Sequence, residues 1–210
     1  MTQAYERGEG AVAPFDKTPG KADKLENCPK MPLRRKEKTR AAIKSTFTRL
    51  VFSRGFENVT VPDVVAEVGI SRSTFYEHFS SREDVLRASM NRIFATIADC
   101  VSEDEPPTRL IDVVGHLWEN RRLTDAIFSG LARAVLGRNQ TDLIEQRLRQ
   151  LPYPRNALLP LRLAATEIAE AQLALIESWM RGRAFCSVQQ LSTGLHRVSR
   201  ASALALIGAA

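Results

Sequence analysis

The stretch that decides the fold is TVPDVVAEVGISRSTFYEHF, residues 60–79. Thr60 is placed to cap a first helix, and Pro62 needs no backbone N–H in a first turn. Gly69 then tolerates the positive φ of a tight turn, and Ser71 is placed to cap a second helix. The stretch therefore predicts two helices joined by a short turn, which is the helix-turn-helix arrangement.

The second of these helices has two different faces. Phe75 and Phe79 are four residues apart, so they share one face and should pin the helix to its neighbours. Ser73, Thr74 and Tyr76 then point away from that face. Arg72 lies in the first turn, where side chains reach base edges when such a helix enters the major groove of DNA.

Periodic apolar residues continue on both sides of this stretch. A helix is expected from Arg34, with Ile43, Phe47 and Leu50 on one face, and Gly55 should end it. After Phe79 a longer helix is expected from about residue 82 until Pro106 and Pro107. Residues 34–82 are therefore predicted to form a helix-turn-helix head. Residues 1–33 are polar, rich in proline and without an apolar period, which predicts a flexible N-terminal tail.

The chain as a whole has a helical composition, rich in Ala, Leu, Arg and Glu, with only 7% aromatic residues. Further helices are expected at about 108–120, 122–137, 139–150, 161–181 and 187–207. The fold class is therefore predicted to be all-α: an N-terminal three-helix head and a larger C-terminal helical domain, the body, over residues 83–210.

The positive charge is concentrated in the head. Residues 34–82 hold ten basic and five acidic residues, a net charge of +5, whereas residues 83–210 have a net charge of +1. A basic module joined to a nearly neutral one favours a polyanion such as DNA as the partner. A basic face that is merely solvated is the simpler alternative.

The head resembles the TetR family of repressors, and the resemblance extends from the basic helix into the start of the fourth helix. Two positions depart from the family pattern: Thr46-Phe47 replaces a usual pair of alanines, and Ser73 stands where glycine is common. The residues that carry the resemblance are Arg40, Ile43, Leu50, Gly55-Phe56, Val59-Thr60, Val64-Val65-Ala66, Val68-Gly69-Ile70-Ser71, Thr74-Phe75-Tyr76, His78-Phe79, Arg82 and Leu86.

The resemblance implies a set of DNA contacts that the chemistry of these side chains also suits. Arg72, Ser73 and Thr74 are expected to face the bases, whereas hydroxyl, imidazole and guanidinium groups suit phosphate oxygens. Each has a plainer alternative, since Tyr76 could be packed structure, His78 a cap partner and Arg72 a solvated charge. The full predicted set is Thr60, Ser71, Arg72, Ser73, Thr74, Tyr76, His78 and Arg82.

In the body, Trp118 and Phe128 are expected to be core residues, but the resemblance also makes them candidates for lining a pocket for a small apolar or amphipathic effector. The last two helices carry broad apolar faces that include Leu175, Leu195 and Val198. These surplus faces predict a homodimer through residues 161–207, as the resemblance also implies.

No catalytic residue, metal site or cofactor is predicted. His116 and His196 have no nucleophile or metal partner at useful spacing, and the three cysteines lie far apart without a C-x-x-C pair. The chain shows no signal-peptide core, and the apolar run at residues 201–210 is too short to span a bilayer, so the cytoplasm is the expected compartment.

The sequence is compatible with three functions. A repressor that a small-molecule effector releases from its operator is favoured, because about 128 residues of body exceed what dimerisation requires. The alternative is a dimeric regulatory or architectural DNA-binding protein without an effector. A small helical enzyme would need clustered titratable residues in the body, and the sequence shows none.

Overall fold

The computed structural model describes residues 30–151 and 157–207. Helices and turns make up these two ranges, and neither contains a strand, so the all-α prediction is confirmed. The helices in the described ranges are α1 (Lys30–Arg54), α2 (Val61–Val68), α3 (Arg72–Tyr76), α4 (Arg82–Asp99), α5 (Leu110–Glu119), α6 (Thr124–Ile127), α7 (Gly130–Leu148), α8 (Leu161–Met180) and α9 (Val188–Ile207).

The chain divides into two compact units, Met1–Lys36 and Glu37–Ala210. Of the first unit, the structure describes only the beginning of α1, which starts at Lys30 rather than at the expected Arg34. The early start is compatible with Pro32. Backbone N–H groups in the first turn of a helix have no acceptor within the helix, so a proline at such a position loses no helical hydrogen bond. The tail predicted for residues 1–33 otherwise lies outside the described residues.

The second unit begins with a head built around aromatic side chains. α1 buries Ile43, Phe47 and Val51, and its last residue precedes Gly55, whose φ of +77° turns the chain into a short 3-10 helix, Phe56–Asn58. Phe47 meets Phe56 edge-on at 6.1 Å between ring centroids. These contacts connect the end of α1 to the segment that leads into α2.

The prediction that α4 extends to Pro106 and Pro107 was wrong, because the helix ends at Asp99. Side chains of α9 fasten the residues that follow in a non-helical path. Arg200 donates to the Val101 carbonyl at 3.0 Å and to the Asp104 carboxylate at 2.7 Å, and His196 Nε2 lies 3.0 Å from the Glu103 carbonyl. These tertiary contacts hold the chain out of a further helical turn.

The prediction of two helices at 122–137 and 139–150 was also wrong. A 3-10 turn and the short α6 come first, and one continuous helix, α7, then begins at Gly130. The predicted boundary between these two helices fell next to Gly137, but this glycine lies inside α7. A Cβ on Gly137 would come within 2.9 Å of Glu170 Oε1 on α8, so Gly137 serves the close approach of two helices and not a helix end.

One hydrophobic core continues from the head into the body. It joins residues of α1 and α3 with α4, α5, α7, α8 and α9, and a smaller cluster lies beside it at Ile144, Leu148 and Ile168. α7 packs between α4 and α8, while α9 packs on α5 and α8. Within the described ranges, no helix combines the length and the apolar character needed to cross a membrane.

Candidate nucleic-acid interface

Thr60 fixes the start of α2 by a reciprocal cap. Its hydroxyl accepts from the Asp63 backbone N–H, and the Asp63 carboxylate accepts from the Thr60 backbone N–H at 2.8 Å. The hydrogen bonds from the Thr60 side chain and backbone, together with the charge of Arg54, hold the pKa of Asp63 below its usual value. The exposed Thr60 hydroxyl therefore has a structural task at the site where a phosphate contact was predicted.

The turn between α2 and α3 has the predicted geometry. Gly69 has a φ of +73°, and the Val65 carbonyl accepts from the backbone N–H groups of Gly69 and Ile70. A Cβ on Gly69 would meet nothing within 4 Å, so the backbone conformation alone, and not crowding, favours glycine at this position. The turn redirects the chain so that α3 starts immediately after it.

Three short hydroxyl side chains meet at the start of α3. Ser71 Oγ accepts from the Thr74 backbone N–H at 3.1 Å, and it lies 2.8 Å from Ser73 Oγ and 2.9 Å from Thr74 Oγ1. Because each hydroxyl both donates and accepts, this group can re-orient toward a base edge or a phosphate without moving the backbone. Ser71 and Ser73 are exposed, and Thr74 is half-buried.

The two faces of α3 are as different as the sequence predicts. Phe75 and Phe79 are fully buried, whereas Arg72 is exposed and Tyr76 retains 57% of its surface. The Tyr76 ring packs edge-on against Phe75 at 5.4 Å, which leaves its hydroxyl end toward solvent. The helix therefore presents a cation, hydroxyls and a phenol on one side while aromatic anchors hold the other.

Arg40, on α1, holds the segment after α3. Its guanidinium donates to the His78 carbonyl at 2.7 Å and lies over the Phe79 ring at 4.2 Å. His78 is half-buried, and its Nδ1 is shielded from solvent with no hydrogen-bond partner among the described residues. Sequence reasoning could not assign this role to Arg40, because the contact joins residues 38 positions apart.

Arg82 is placed where the loop between α1 and α2 meets the start of α4. Its Nη1 lies within 3.2 Å of the carbonyls of Phe56, Glu57 and Val59, and its Nε donates to Glu83 at 3.1 Å. The guanidinium also stacks over the Phe56 ring at 4.6 Å. Arg82 thus clamps the loop that precedes α2, a task that sequence reasoning missed. The predicted phosphate contact stays a prediction.

The two candidate effector residues lie in packed surroundings. Trp118 stacks against Trp179 with 4.5 Å between ring centroids, and the Arg121 guanidinium covers Trp118 at 4.4 Å. Phe128 is buried, and its carbonyl accepts from Arg181. Neither residue lines the groove between α1 and Ser89 of α4, the small cavity between α8 and α9, or the cleft between α1, α4 and α7.

Parts of the predicted dimer faces on α8 and α9 are exposed and other parts are buried. Leu175 and Val198 retain 40% and 56% of their surface, and they border a shared small cavity of about 20 Å³. Leu195, in contrast, is only 1% exposed because it packs inside its own chain. The predicted interface therefore retains Leu175 and Val198 as surface residues, whereas Leu195 belongs to the core.

No group of three or more His, Cys, Asp or Glu side chains is arranged to hold a metal within the described ranges. Around α3 and the caps beside it, Thr60, Ser71, Arg72, Ser73 and Tyr76 are all exposed. This surface offers donors and hydroxyls, the groups that read base edges and hold phosphates.

Residues 48–89 match a family model described as bacterial regulatory proteins, tetR family. This range covers the end of α1, the two helices around Gly69 and the start of α4. A curated relative, the uncharacterized HTH-type transcriptional regulator YxbF of Bacillus subtilis (strain 168), is 30% identical over 67 residues. That match covers 31% of this chain, and it spans only 18% of the relative's length.

Among solved structures, a TetR transcriptional regulator from Streptococcus agalactiae 2603V aligns with a TM-score of 0.52 at 19% sequence identity. The alignment covers 81% of this chain and 98% of the other. It therefore shows that the helical architecture beyond the head, and not only the head, follows the same fold.

Proposed function

Because residues 48–89 match the tetR family of bacterial regulatory proteins, we propose that the chain is a regulator of this family that binds operator DNA sequence-specifically and represses transcription. The observation that carries the proposal is the two-faced α3, with Phe75 and Phe79 buried and Arg72 exposed at its first turn. A protruding helix anchored in this way fits the major groove, which is wide enough to admit an α-helix. Chromosomal DNA lies in the bacterial cytoplasm, which is the compartment that we propose.

The side chains around α3 would divide into two roles. Arg72, Ser73 and Thr74 would read base edges, because they lie in the leading turn of the groove-entering helix. Thr60, Ser71, Tyr76, His78 and Arg82 would face the phosphates, for which hydroxyl, imidazole and guanidinium groups are suited. Arg82 would also position α2 through the loop carbonyls that it already contacts.

Repression would require a homodimer. The exposed apolar side chains of Leu175 and Val198 lie next to each other on α8 and α9, and burial against the same residues of a second copy would remove them from water. We propose this interface within residues 161–207. Two copies of α3 would then enter successive major grooves about 34–36 Å apart.

Release from the operator would follow when a small apolar or amphipathic molecule binds the body near Trp118 and Phe128. A modest change in the separation of the two α3 helices would mismatch the groove spacing, with a coupling of roughly 1–3 kcal/mol. The second candidate function is DNA binding without an effector. The closely packed stack of Trp118 on Trp179 favours it, since it leaves little room for a ligand at that point.

The DNA-binding proposal is tested by sequencing the genomic fragments that the purified protein retains and then measuring gel shifts on them. Arg72→Ala should weaken binding to the preferred fragment by about 1–3 kcal/mol, as expected for the loss of a base contact. Arg138→Ala is the matched control, because Arg138 is an exposed cation on α7, away from α3. Equal losses in both variants would remove the assignment of Arg72.

The effector proposal is tested separately, with a thermal-shift screen of a broad library of hydrophobic compounds. Each compound that stabilises the protein is then added to the complex with a retained fragment. Release of the DNA by such a compound would support the effector. A library without any stabilising compound would instead favour the second candidate.

A further inference from the structure

A polar cleft lies between the helices α1, α4 and α7. It has a volume of about 780 Å³, within the range of pockets that hold small molecules. α1 contributes Arg40 and Lys44, α4 contributes Arg87 and Asn91, and α7 contributes Asn139 and Arg147. We call it the α1–α4–α7 cleft.

Hydrogen-bond donors dominate its lining. Lys44, Arg87, Asn91 and Arg147 all bring N–H groups to one cavity. Arg87 and Asn91 are exposed, and Lys44 and Arg147 are half-buried. Donors that border an open cleft favour an occupant that brings acceptor oxygens.

The charge of the lining points in the same direction. Four cations line the cleft, against the two acids Asp84 and Asp142. Within the chain, Arg147 pairs with Asp99 at 2.8 Å, Arg87 lies 3.5 Å from Asp84, and Arg40 donates to the His78 carbonyl, so these three bring only their remaining N–H groups to the cleft. Asp142 is already paired with Arg162, which is not part of the lining, at 2.6 Å. Lys44 has no ion pair with any residue in the described part of the chain, so its charge is available to an anion.

We propose that the α1–α4–α7 cleft binds a small anion with several acceptor oxygens, a polycarboxylate or a phosphate ester. This ligand class differs from the apolar effector proposed for the body, and neither Trp118 nor Phe128 lines the cleft. Because α1 belongs to the DNA-reading part and α7 to the body, an occupant would bridge them. An effect of the bound anion on DNA affinity rests on the proposed function, whereas binding of the anion itself does not.

Binding is measured without DNA, by calorimetry and thermal shift on the full chain. Citrate, glucose 6-phosphate and inorganic phosphate are the probes, each compared with sodium chloride at equal ionic strength. Citrate or glucose 6-phosphate should bind at one saturable site per chain. Lys44→Met and Asn91→Leu should each weaken that binding about tenfold, since each removes one donor to a charged ligand.

Lys38→Met is the matched control, because Lys38 is exposed on α1 but does not line the cleft, and its affinity should stay unchanged. Circular dichroism checks that Asn91→Leu is folded, and Lys44→Met decides the question if it is not. Absence of binding by all three probes would overturn the proposal. Unchanged binding by Lys44→Met would overturn it as well, because the anion would then occupy another place.

Discussion

Arg82→Ala should destabilise the protein even in the absence of DNA. The substitution removes the donor that lies 2.8 Å from the Val59 carbonyl and 3.1 Å from the Phe56 carbonyl, and it removes the cation above the Phe56 ring. Only 22% of the Arg82 side chain is exposed, so water restores these contacts incompletely.

The size of the effect follows from these contacts. A hydrogen bond from a charged donor contributes about 1.5–3 kcal/mol, and a cation over an aromatic ring near the surface adds about 0.5–1 kcal/mol. Because the contacts share one side chain and do not add fully, we expect a loss of about 3 kcal/mol in the free energy of unfolding. For a chain of this size the midpoint of thermal unfolding should fall by roughly 6–12 °C.

Urea unfolding followed by circular dichroism measures the change. Arg92→Ala is the control, since Arg92 is an exposed cation on the same helix, and its effect should stay within about 0.5 kcal/mol of wild type. The clamp would be refuted if Arg82→Ala were as stable as Arg92→Ala. A lower slope of log affinity against log salt in that same variant would then identify Arg82 as a phosphate contact alone.

Two further substitutions test the architecture and the assembly. Gly130→Ala should lower the free energy of unfolding by about 2 kcal/mol, because φ is +50° there and the added Cβ would lie 2.5 Å from Glu57 Oε1. Gly115→Ala is the control and should not destabilise the protein, because the nearest neighbour of its added Cβ lies at 4.0 Å. Equal urea midpoints for the two variants would contradict this account. Val198→Arg should raise the dimer dissociation constant about 100-fold in analytical ultracentrifugation, because an unpaired charge buried at a contact costs roughly 3 kcal/mol. Gln189→Arg, exposed elsewhere on α9, should leave the dimer intact, and a Val198→Arg variant that dimerises like wild type would exclude this interface.

The parts of the fold that follow from local chemistry were predictable from the sequence. Thr60 and Ser71 cap the helices that they were expected to cap, and Gly69 takes the positive φ expected of the turn. Each of these features depends on residues within three or four positions of one another, so the sequence pattern contains the whole cause. The same reasoning predicted that Phe75 and Phe79 would be buried, although α3 ends at Tyr76 and Phe79 lies in the segment after it.

The features that were missed depend on residues far apart in the chain. Gly137 reads as a helix break, yet it allows α7 to approach Glu170 on α8. Leu195 reads as a surplus apolar residue, yet its own chain covers it. Arg82 was predicted as a phosphate contact, yet it also contacts carbonyls that lie 23–26 residues earlier. Periodicity shows that a side chain is apolar or charged, but not which distant element meets it.

The central claim is that α3 reads operator DNA from the major groove, and methylation interference with dimethyl sulfate tests it most directly. This reagent methylates guanine N7 in the major groove and adenine N3 in the minor groove, and the protein selects the DNA that it still binds. We predict interference from guanine N7 in two half-sites about one helical turn apart, with one position in each half-site losing its effect in Arg72→Ala. Interference confined to adenine N3, or the same pattern in Arg72→Ala as in wild type, would contradict the account.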